Sequence, residues 1–61
     1  MKLRTGRHND RIVYIQIGDE PDDNDPMLAT FFDAGNAQAV VGAVNLYCGL
    51  HPQWWLRLSK E

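Results

Sequence analysis

The sequence predicts an α+β fold: an antiparallel sheet of three or four strands with one helix packed on one face, in the order β-β-β-α with an optional last strand. Three observations predict it. Residues 11–17 alternate as a strand does, with Val13, Ile15 and Ile17 on one side and Ile12, Tyr14 and Gln16 on the other, and β-branched side chains dominate. Residues 33–50 recur at helical spacing, with Ala37, Val40, Val41, Val44, Tyr47 and Cys48 on one face. Short runs at 2–5 and 27–32 flank the first strand and are separated from it by turn formers and by a proline-bounded loop.

Taken in order, Lys2 to Thr5 reads as a short edge strand with Leu3 inward. Gly6, Asn9 and Asp10 then turn the chain into the strand Arg11 to Ile17, giving a hairpin. The Val13 side of that strand is assigned to the helix. Ile12 and Tyr14 then lie on the other side, wet unless something covers them. Gly18 to Pro26 is a connector in which Asp19, Glu20, Asp22, Asp23 and Asp25 sit among two prolines, so repulsion favours an extended, mobile loop over 18–26. Met27 to Phe32 resumes strand character, with Ala29 and Phe31 toward the helix and Phe32 near its start. Asp33 is the expected N-cap, and Gly49, Leu50 and Pro52 the expected left-handed exit, apolar contact and stop.

The helix carries a second apolar row, Ala39, Ala43, Leu46 and Leu50, while Gln38, Gly42, Asn45 and Gly49 form the row that faces water without cost. An ordinary surface helix has a single apolar stripe. Something must therefore lie on this one from a second side, either the C-terminal segment or another protein molecule. That segment, 51–61, is a tryptophan-rich arm in which Trp54, Leu56 and Leu58 alternate with Trp55, Arg57 and Ser59, as a strand would, with a helix after Pro52 as the competing assignment.

Sixty-one residues make one domain, close to the size at which a core barely suffices. Association is the usual remedy, and disulfides are not, because Cys48 has no mate. With no apolar run long enough to span a bilayer and no apolar signal core, a soluble, cytoplasmic protein with no membrane contact is expected. The net charge of −2 is segregated: residues 1–18 hold four basic and one acidic side chain, residues 19–35 six acidic and none basic.

The segment Arg11-Ile-Val-Tyr-Ile-Gln-Ile-Gly-Asp-Glu-Pro, the later Asp25, the step Phe31-Phe32-Asp33 and Ala39-Val-Val-Gly-Ala-Val-Asn45 resemble small uncharacterised proteins encoded by bacteriophages of actinobacteria, over residues 11–45. The resemblance implies expression inside a bacterial host. It brings no catalytic residues with it.

Chemical signatures are missing parts. The acidic loop lacks the glycine and terminal glutamate of an EF-hand and reads as a solvated connector, with imitation of phosphates toward a basic partner, or pairing with the chain's own Arg4, Arg7 and Arg11, as the alternatives. Cys48 and His51 are spaced as half a zinc site without the other half. No triad, glycine-rich elbow or phosphate loop is present, so no enzyme, cofactor or metal is expected. What remains is a protein–protein interaction module, self-associating as a homodimer or docking on a bacterial host protein through Ile12, Tyr14, Trp54, Trp55 and Leu56, since buried aromatic anchors dominate interfaces. The alternative is a nucleic-acid binder whose basic hairpin uses Lys2, Arg4, Arg7 and Arg11 on phosphates or base edges.

Overall fold

The computed structural model describes residues 1–54. Strands β1 (Lys2–Thr5), β2 (Ile12–Gln16) and β3 (Met27–Thr30) precede one helix, α1 (Ala34–Leu50). The sheet is antiparallel with order β1-β2-β3, so the α+β expectation of three strands and a helix holds for the described residues. The expected interface residues Trp55 and Leu56 lie outside them. Gln53 and Trp54 are helical, with the Trp54 N–H donating to the His51 carbonyl (3.1 Å), so no fourth strand starts there.

Turn chemistry sets the hairpin. The Gly6 N–H donates to the Ile12 carbonyl (2.9 Å) and the Ile12 N–H to the Asn9 carbonyl. A Cβ on Gly6 would come within 2.6 Å of the Asn9 carbonyl oxygen, so glycine is required for this close approach. In the resulting register Leu3 faces Ile15 and Thr5 faces Val13. Between β2 and β3 the register shifts at Val13/Tyr14, leaving Leu28 as an extra residue on β3.

Leu3, Val13, Ile15 and Ala37 form the core, with Phe31, Val41 and Val44 packed on it. The helix lies over β1 and β2 rather than β3, which leaves Ala29 only half-buried where it was expected against α1. Asp33 caps α1 as expected, its carboxylate accepting the Gly35 N–H at 2.6 Å.

Three expectations are corrected. Ile17 is not in the core but 57% exposed, because β1 begins opposite Gln16 and leaves no strand beyond it. Gln16, outside the core cluster, is nevertheless buried, its amide donating to the Gly18 carbonyl. Gly49 makes no left-handed exit: it is helical, none of the described residues has positive φ, and α1 ends at His51, whose N–H reaches the Tyr47 carbonyl. Tyr47, expected inside, is exposed, and its ring packs on His51 (4.5 Å) and Trp54 (5.9 Å) instead.

Candidate functional site

Two surfaces carry the residues singled out by sequence, and they lie on opposite sides of the sheet. On the side away from α1, alternation along β2 turns Tyr14 outward. Arg4, opposite it in the register, lays its guanidinium over the Tyr14 ring at 4.7 Å. The same guanidinium donates through Nε and Nη2 to Asp25 Oδ2 (3.3 and 3.0 Å) and through Nη2 to the Asp22 carbonyl. The Asp22 N–H donates to that carboxylate oxygen as well. The two side chains are 14% and 4% exposed, and the carboxyl of Asp25 is held below its ordinary value of 3.8 by the Asp22 N–H first, with Arg4 adding to the shift against the opposing effect of burial.

Asp23 takes Arg7 at 2.9 Å on the open surface. The acidic loop is thus tied to the hairpin at Asp22, Asp23 and Asp25, the self-pairing that the charge split allowed. Of the four basic residues proposed for nucleic acid, Arg4 and Arg7 are bound to the chain's own carboxylates, while Lys2 and Arg11 have no ion-pair partner among the described residues. The cleft between these groups, bounded by Gly6, His8, Asn9 and Tyr14, holds only about 150 Å³, below the size of an ordinary ligand pocket.

The second surface is α1. Asn45, expected to face water, instead brackets the edge of the sheet: the Leu3 N–H donates to Asn45 Oδ1 (2.7 Å) and Asn45 Nδ2 donates to the Leu3 carbonyl (3.0 Å). Buried Ala37, with half-buried Val41 and Val44, marks the face turned to the sheet. The opposite row, Ala39, Ala43, Leu46 and Leu50, is exposed at every position, Leu46 and Leu50 at 70% and 71%. Beside it an apolar groove of about 640 Å³ is lined, among the described residues, by Ala43, Val44, Tyr47, Cys48 and Trp54. Half-buried Trp54 therefore sits at the helix, whereas Tyr14 and half-buried Ile12 belong to the far side of the sheet, so these three expected interface residues lie on two faces.

Sequence reasoning noticed the second apolar row without assigning its members to a site. It also missed Phe32, 97% exposed at the start of α1. The available signal was that α1 contains no charged residue over seventeen positions. Gly42 and Gly49 add to it: each costs roughly 1 kcal/mol relative to alanine inside a helix, and a Cβ at either would meet nothing within 4 Å.

Among the described residues no group of three or more His, Cys, Asp or Glu side chains is arranged to hold a metal, and no helix is long and apolar enough to cross a membrane. What fold and surface define is a small three-stranded α+β protein with an apolar helix face. Comparison with family models, curated proteins and solved structures finds no match to this chain.

Proposed function

We propose that this chain is a small non-catalytic protein–protein interaction module that associates with itself or docks on another protein. One observation carries the reading. Eight large apolar side chains, Met1, Ile17, Met27, Leu28, Phe32, Leu46, Tyr47 and Leu50, are exposed among the described residues, while Leu3 and Val13 are the largest that are fully buried. So many exposed large apolar side chains against so small a buried core, three of them (Leu46, Tyr47 and Leu50) on the last turns of α1, favour a chain that is covered by another surface.

The exposed row of α1, with Tyr47 and Trp54 beside it, is the contact surface. If the resemblance of residues 11–45 to small bacteriophage proteins extends to their setting, a second kind of partner is a bacterial host protein. The basic hairpin is not carried forward as a nucleic-acid surface, because Arg4 and Arg7 are already engaged by Asp25 and Asp23.

The test replaces Leu46 and Leu50 together by Lys. Binding, measured by light scattering for self-association and by cross-linking for a heterologous partner, should disappear while the circular dichroism of the monomer is retained. A parent chain that stays monomeric and cross-links to nothing in a bacterial extract overturns the reading.

A further inference from the structure

We infer that the exposed row of α1 is a self-association surface on which two copies of this chain pack their helices antiparallel, about a two-fold axis beside Ala39, Gly42 and Ala43. The inference rests on the interaction reading above and names its partner. Ala39, Ala43, Leu46 and Leu50 follow one another at steps of four, three and four, the spacing of a two-helix seam. At 100° per residue the row lies diametrically opposite Ala37 and Val41, which pack in the core against the sheet. The fold of one copy therefore buries one side of α1 and leaves a seam on the other.

Glycines supply an independent observation. Gly35, Gly42 and Gly49 stand at every seventh position, all exposed, along one flank of that seam. Gly42 and Gly49 have ordinary negative φ and open space where a Cβ would be, so the chain's own fold does not require them. A second backbone drawn close along that flank does.

The chemistry of the face selects the occupant. A helix lying on a membrane surface needs basic residues along its polar side, and a nucleic acid needs them anywhere. The helix α1 has none. Beyond its Asp33 cap α1 carries no charge, and the other charges of residues 1–50 lie in the hairpin and the acidic loop, so two copies can meet along the middle of α1 without bringing like charges together.

Antiparallel packing also sets small against small at the axis and brings large to large at the ends. Ala39 of one copy meets Ala43 of the other at the centre, and Leu50 reaches the start of the neighbouring helix, where Phe32 is exposed. Antiparallel helix dipoles favour the same orientation. A helix of 17 residues is about 25 Å long, and a strip of that length falls short of the roughly 800 Å² per partner of a standard interface. The dimer is accordingly weak, with dissociation on the order of 0.1 mM.

Sedimentation equilibrium of the full chain up to about 2 mM tests this, together with Leu46→Lys, Gly42→Glu and Gly42→Lys. The open space at Gly42 lets both replacements fold, which circular dichroism checks. Leu46→Lys should abolish the dimer. Each Gly42 variant alone should weaken it at least about tenfold at low salt, because in an antiparallel pair the two residues at this position flank the axis on the same side. An equimolar mixture of the Glu and Lys variants should restore association as a heterodimer.

A parent chain that remains monomeric throughout overturns the inference. If Leu46→Lys still removes binding to a different, purified protein, the interaction reading survives without the self-pairing. A dimer indifferent to all three variants overturns both the inference and the assignment of α1 as the contact surface, and a mixture that fails to restore association overturns the antiparallel arrangement.

Discussion

Replacing Asn45 by Ala should be among the most damaging single changes available outside the apolar core. Leu3 faces Ile15 across β1 and β2, and with β1 at the edge of the sheet its N–H and carbonyl point away from the neighbouring strand. A carboxamide has one donor end and one acceptor end, as a peptide group has. Asn45 uses both, at 2.7 and 3.0 Å, and so occupies the place of a residue on a fourth strand. Each such bond contributes about 0.5–1.5 kcal/mol net, more where the stranded partner is shielded from water. Leu3 is only 1% exposed, so the expected loss is about 2 kcal/mol. In urea, at a slope near 1 kcal/mol/M for a domain this small, that lowers the midpoint by about 2 M. The comparison must be made at one protein concentration, since association adds to apparent stability. Asn45→Asp keeps the acceptor but turns a carboxylate oxygen toward the Leu3 carbonyl, and should lose at least as much as one bond. Amide exchange gives the local readout: the Leu3 N–H loses protection in Asn45→Ala and keeps it in Asn45→Asp, which retains the acceptor, while Gly35, capped by Asp33, is unchanged in both. A midpoint within about 0.5 M of the parent, with Leu3 protection unchanged, would refute the bracket.

The remaining predictions concern charge, cap and turn. Because the folded pKa of Asp25 lies below its ordinary value of 3.8, the carboxylate contributes stability that is fully present above that value and lost as pH falls through the lower, folded one. Asp25→Asn should flatten the acid limb of a urea-midpoint profile from about pH 6 to about pH 2 and, by leaving the Arg4 charge uncompensated, lower the midpoint at neutral pH; an unchanged acid limb would remove Asp25 from the account. Asp33→Ala, which deletes the acceptor for the Gly35 N–H, should cost about 1 kcal/mol by the same denaturation assay. Gly6→Ala must displace the Asn9 carbonyl and crowds the Tyr14 ring, and should cost more than Gly49→Ala, which meets open space and stabilises the monomer by up to about 1 kcal/mol.

What could be read from the sequence was whatever is decided locally. Val13 and Ile15 fall inside because a strand alternates, and Asp33 caps because its carboxylate reaches an N–H two residues on. The errors lie where a distant segment decides. Ile17 shares the parity of Val13 and Ile15, but the length of a strand is set by its neighbour, and β1 begins opposite Gln16. Asn45 looked like a water-facing residue because its partner is Leu3, forty-two positions away. Gly49 carries the composition of a helix stop, yet the helix runs on to Leu50 and is closed by the backbone at His51. The contact residues suffered from the same limit: Tyr14 and Trp54 are both aromatic and only half-buried, but the sheet stands between them, and nothing in their spacing said so.

Surfaces on which this chain could meet another molecule are reduced by its own polar groups. Edge pairing at β1 is occupied at Leu3 by the Asn45 amide. The outer face of the sheet around Tyr14 is roofed by Arg4, itself neutralised by Asp25. Both closures use polar side chains whose satisfaction depends on a single geometry, and a buried charge that loses its partner is costly. The helix face differs in kind: Ala39, Ala43, Leu46 and Leu50 hold no polar group that a contact would have to desolvate. Covering it requires only another apolar surface and strands no donor or acceptor, so association there leaves the Asn45 and Arg4 contacts intact. A polar substitution at Leu46 should therefore separate binding from folding, whereas one at Asn45 or Arg4 cannot.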